Sequence, residues 1–195
     1  MSVATEVDLA QVNLNQANFK DALEALTARV EAIEQTAGND HLSIGVMTGN
    51  LDTTIAAFII ALAATAYDIK VDMFFTFWAV AALRDPRKAP PKKFMEKMFG
   101  WMLPRGSQAL PLSKMQMAGI GPKMIRSIMQ QHGVKSLEQL MKEAGEYGVE
   151  IHICEMSMDL MGFKAEEMID YPHLDYVGAG TFIQLISESK QAFFL

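Results

Sequence analysis

The chain has 195 residues, half of them hydrophobic and 21% charged, which is too apolar for a disordered chain and enough material for one domain with an appendage. Its net charge of -6 argues against a dominant nucleic-acid-binding surface. A single cysteine, Cys154, excludes an intramolecular disulfide and suits a reducing cytoplasm.

Met1 to Asp8 has neither a basic stretch nor an apolar core, so no secretory signal is expected. Leu9, Val12, Gln16, Phe19, Leu23, Leu26, Val30 and Ile33 recur at alternating spacings of three and four, a heptad seam with one polar position. This predicts an N-terminal amphipathic helix within residues 1–40 that needs a partner helix, and hence a homo-oligomer. Gly38-Asn39-Asp40 is its stop signal.

Leu42 to Met47 reads as a strand, and Asp52 or Thr53 as the cap of the apolar helix behind it. The uncharged run Ile55 to Tyr67 in that helix is too short to span a bilayer. Ile69 to Thr76 is β-branched and aromatic, and Trp78 to Leu83 is a short helix ended by Asp85-Pro86. Residues 84–105 hold seven basic side chains against two acidic ones, interleaved with Phe94, Met98, Phe99, Trp101 and Met102. Residues 84–121 thus read as a basic, Met-rich insert with an apolar face, suited to an acidic partner or to peripheral contact with an anionic membrane. Pro122 to Gln131 and Ser136 to about Glu146 are helices, the second opened by a capping box. Val149 to Cys154 is a strand, Ser157 starts a helix closed by Gly162, Phe182 to Ser189 is the last helix and Gln191 to Leu195 a final strand. Helices alternating with apolar strands imply an α/β fold whose parallel sheet is covered on both faces.

Ligand sites in such sheets lie beyond the carboxyl ends of the strands, where Cys154 falls. There a thiolate would be partly exposed and stabilised by helix N–H groups; the competing reading is a small, inert core residue. His152, two residues earlier on the same strand face, either supports the thiolate or is a hydrogen-bonded sheet histidine. His152, Cys154, Met156 and Met158 alternate as Cu(I) ligands would, but the turn into helix scatters them, so no metal and no cofactor is expected. Gly119-Ile-Gly-Pro-Lys123 resembles a phosphate-binding hairpin but sits in an acidic chain, where a tight turn before a core helix is the better reading. Gly178-Ala179-Gly180 lacks the rest of a dinucleotide fingerprint. Nucleic acid is not an expected partner.

From Leu42 onward the chain resembles the DsrE/DsrF/DsrH-like family, in its larger DsrE-type branch. The residues that carry the likeness are Cys154-Glu-Met-Ser-Met-Asp-Leu-Met-Gly162, Phe99-Gly-Trp-Met-Leu-Pro104, Leu112-Ser-Lys-Met115 and Phe74-Phe75-Thr76-Phe77-Trp78. The resemblance implies a three-layer α/β/α domain over 41–195 with a five-stranded parallel sheet. It also implies oligomers and a persulfide-carrying cysteine at Cys154, and it assigns no second catalytic residue; the resulting expectation is a cytoplasmic sulfur carrier whose Cys154 thiolate is tuned by His152 and the helix start at Ser157. The expected surroundings of that sulfur are Met156, Ser157, Met158, Asp159, Gly49, Asn50, Thr76, Trp78, Gly178 and Gly180. Separate sulfur donor and acceptor proteins, TusA-like or rhodanese-like, would then serve it. The rival expectation is a scaffold without turnover, acting through the heptad helix and the basic insert.

Overall fold

The computed structural model describes residues 19–31, 39–92 and 94–195, and the chain divides into two units, Met1–Gly38 and Asn39–Leu195. In the first, residues 19–31 form helix α1, whose geometry puts Phe19, Leu23, Leu26 and Val30 on one stripe. Leu9, Val12, Gln16 and Ile33 of the predicted seam lie outside the described residues.

The second unit runs β1 (Asn39–Val46), α2 (Leu51–Thr65), β2 (Lys70–Phe75), a 3-10 helix (Phe77–Leu83), α3 (Phe94–Met102), α4 (Ile120–Gln131), α5 (Leu137–Glu146), β3 (Glu150–Cys154), α6 (Glu155–Met161), β4 (Leu174–Val177), α7 (Ala179–Glu188) and β5 (Ser189–Phe194). The five strands are all parallel, in the order β4-β3-β2-β1-β5. From β1 to β4 each crossover steps in one direction. Right-handed crossovers therefore place α2, α5 and α6 on one face. The return from β4 to β5 runs the other way and puts α7 on the opposite face. The result is the three-layer α/β/α arrangement expected.

Strand parity divides the chemistry. Leu42, Ile44, Val46, Val71, Met73, Phe75, Ile151 and Ile153 form the core with α2, α5 and α6, through residues such as Phe58, Ala61, Leu140, Met158 and Met161. The opposite parity carries His41, Ser43, Asp72, Phe74, His152, Cys154 and Asp175 under α7. Phe182, the buried residue of α7, stacks on Phe74 with centroids 4.4 Å apart and meets the Phe194 ring edge-on at 5.7 Å. No described helix is long and apolar enough to cross a membrane.

Several local expectations are corrected. Asn50, not Asp52 or Thr53, is the N-cap of α2; the Asp52 carboxylate instead accepts from the backbone N–H and hydroxyl of Ser113, tying the helix start to a distant loop. Cys154 itself caps α6, and Ser157 sits in the first turn. β4, with Asp175 and Tyr176 interrupting its apolar character, was not expected from its sequence. The basic insert is not uniformly solvated. Arg84 is buried, donates to Glu167 at 3.1 and 3.2 Å, lies 4.6 Å over the Phe163 ring and also reaches the Gly100, Leu103 and Pro104 carbonyls at the end of α3. Lys92 pairs with the same Glu167. Trp101, Met98 and Met102 are exposed. In Gly119-Ile-Gly-Pro-Lys123, Gly121 is a packing requirement, because any Cβ would overlap the Met115 carbonyl oxygen.

Candidate functional site

The connection after β3 leaves toward the α6 face and that after the neighbouring β4 toward the α7 face. A crevice opens where such loops diverge. Cys154, the last residue of β3, is register partner of Val177, the last of β4, so the thiol stands at this switch point. It is 1% exposed and packs with Phe74 and Phe182, flanked by Val177 and Ile186. The expected partial exposure is thus corrected: α7 and its Phe182 close over the sulfur.

Burial opposes ionisation of this thiol, yet hydrogen bonds outweigh it. Hydrogen-bonding groups beside the sulfur, the Ser157 and Thr76 hydroxyls and the backbone N–H groups of Ser157 and Met156, favour the thiolate and hold Cys154 below the ordinary thiol range. The donors are fixed in turn. Thr76 Oγ1 and Ser157 Oγ are 2.9 Å apart, and the Phe77 N–H donates to Ser157 Oγ at 3.0 Å. Phe77 has φ 46°, a left-handed conformation that a bulky residue adopts only where its surroundings enforce it. Strain in the β2 loop therefore aims an N–H at the serine that serves the cysteine.

Of the other predicted residues, Gly49 and Trp78 meet: a Cβ on Gly49 would lie 2.4 Å from the Trp78 carbonyl oxygen, so only glycine allows the β1 and β2 loops to touch. The Asn50 carbonyl accepts from the Thr54 N–H and hydroxyl within α2. Met156 and Asp159 are exposed, and Met158 belongs to the core on the other face. Gly178, extended at φ -85°, and Gly180 have open space where side chains would stand.

His152 has both ring nitrogens taken by carboxylates. Nε2 is 2.6 Å from Asp72 Oδ1 and Nδ1 is 2.5 Å from Asp175 Oδ1; these partners overcome desolvation and raise its pKa. Asp72, wholly buried, also contacts His41 Nε2 through its second oxygen. Burial would raise the Asp72 pKa, but its bonds to both histidines and the charge of Lys70 hold it low. Sequence reasoning missed His41, Asp72, Asp175, Phe182 and the strain at Phe77. An aspartate in the middle of an apolar strand was the available signal for Asp72.

A sequence model described as the DsrE/DsrF/DrsH-like family matches residues 38–194. The chain is 44% identical over 161 residues to "Uncharacterized protein YrkE" of Bacillus subtilis (strain 168), covering 82% of this chain and 99% of that protein. It is 31% identical over 155 residues to "Sulfur carrier protein DsrE2" of Allochromatium vinosum, covering 76% and 93%.

Proposed function

Because the chain belongs to the DsrE/DsrF/DrsH-like family, we propose that it acts in sulfur relay, with Cys154 accepting a sulfane sulfur as a persulfide. The family and the relative named as a sulfur carrier support the relay role. The observation that carries the assignment to Cys154 is its place at the switch point of the sheet, beside the Ser157 and Thr76 hydroxyls that favour its thiolate. In the forward step the Cys154 thiolate attacks the outer sulfur of a donor persulfide. A new S–S bond forms, the donor's S–S bond breaks and the donor thiolate leaves, so no external oxidant is required. The Ser157 and Thr76 hydroxyls stabilise the attacking anion. Delivery to an acceptor thiolate reverses the sequence. Cys154 is the single cysteine of the chain, so donor and acceptor thiols belong to other molecules. In this mechanism α7 must open, since Phe182 covers the sulfur.

Intact-protein and peptide mass spectrometry after exposure to a polysulfide donor tests the proposal. Wild type gains one sulfur on Cys154 that a thiol reductant removes, and Cys154→Ser gains none. Absence of the adduct across several sulfane donors refutes it and favours the non-catalytic scaffold, a reading that the closed thiol also suits.

A further inference from the structure

We propose that Asp72, Glu150 and His152 form a divalent-cation site of the zinc type on the α7 face of the sheet. One ligand atom from each lies within 4.8 Å of the other two. The parallel register creates this convergence. Asp72 and Glu150 are Cα partners on β2 and β3, and His152 follows Glu150 by two residues on the same strand face. His152 Nε2 stands 2.6 Å from Asp72 Oδ1 and 3.9 Å from Glu150 Oε2. Tetrahedral zinc with ligands at about 2.0–2.2 Å spaces its donors roughly 3.4 Å apart, so an entering ion must part His152 from Asp72 and draw Glu150 closer to His152.

Two further features suit a cation. Asp175 holds the other nitrogen of His152 at 2.5 Å, the carboxylate–histidine arrangement that orients an imidazole toward a metal. Carboxylates also converge here: Asp72, Glu150 and Asp175 all face His152, and an ion at Nε2 would replace the proton that Asp72 now accepts. Lys70 Nζ does not satisfy Asp72: it stands 3.9 Å from that carboxylate and 3.0 Å from Glu150, and its half-exposed chain can withdraw to solvent. His41, in contact with the second oxygen of Asp72, braces that carboxylate and is the nearest further nitrogen donor. On binding, His152 Nε2 releases its proton to water while Nδ1–H stays on Asp175. The ion would pin β2 to β3 on the face that α7 covers, two residues before Cys154.

The test uses the full chain, stripped with chelator and titrated with zinc chloride alone by calorimetry, then with cobalt(II) followed by its visible spectrum. Expected are one equivalent of zinc, unchanged stoichiometry in Cys154→Ser, at least tenfold weaker binding in His152→Ala, and a cobalt spectrum without a thiolate charge-transfer band. Asp175→Asn, which keeps the hydrogen-bonding shape, weakens zinc severalfold. The cobalt spectrum of wild type decides the donor set even if His152→Ala fails to fold. The proposal is overturned by no zinc uptake at micromolar concentration, by His152→Ala binding as tightly as wild type, or by loss of binding in Cys154→Ser.

Discussion

Replacing Phe182 with alanine separates the cover of Cys154 from its chemistry. Phe182 is the buried residue of α7, stacked on Phe74 at 4.4 Å and meeting Phe194 edge-on at 5.7 Å. Buried Phe→Ala changes cost about 3–5 kcal/mol, of which each aromatic pair supplies about 0.5–1.5 kcal/mol. Most of α7 is otherwise exposed, so much of this cost falls on the hold of α7 against the sheet rather than on the main core. Taking about 3 kcal/mol for the local opening, the open population rises roughly 100-fold. Labelling of Cys154 by an aromatic disulfide reagent, followed in native buffer, should accelerate by about that factor. Urea denaturation monitored by tryptophan fluorescence measures the global cost in parallel. A labelling rate within about threefold of wild type would refute the idea that Phe182 gates the thiol; the variant's cooperative urea transition shows that the domain remains folded.

Arg84→Met should destabilise the domain by about 3 kcal/mol, because it leaves buried Glu167 with only Lys92 and the Lys164 backbone N–H and strips donors from the carbonyls that end α3. A change below about 1 kcal/mol in equilibrium unfolding would show that the Arg84–Glu167 pair is dispensable. The Asp85 carboxylate accepts from the Arg87 side chain and backbone N–H, which lowers its pKa to about 2 from the ordinary 3.8. Since the folded value is the lower one, its contribution is present above pH 3.8 and is lost as pH falls toward 2. Asp85→Asn should therefore be less stable than wild type at pH 6, with the gap in matched denaturation curves closing as pH falls through about 2.

Local pattern alone determined most elements. The apolar runs at Leu42, Ile69 and Val149, the capping box at Ser136 and the stop at Gly162 each place a strand or helix within a few residues, because periodicity and capping are short-range properties. The same strand reading put Cys154 at the carboxyl edge of the sheet. β4 escaped because four residues containing an aspartate carry little strand signal, and that strand's last residue, Val177, is the register partner of Cys154. Burial of Cys154, the posture of Phe77 and the meeting of His41, Asp72, His152 and Asp175 were decided by tertiary structure. These residues are separated by 20 or more positions and converge only through parallel register and the reversed crossover that lays α7 over them. A sequence names the donors along each strand, but the pairing of strands determines which of them face one another.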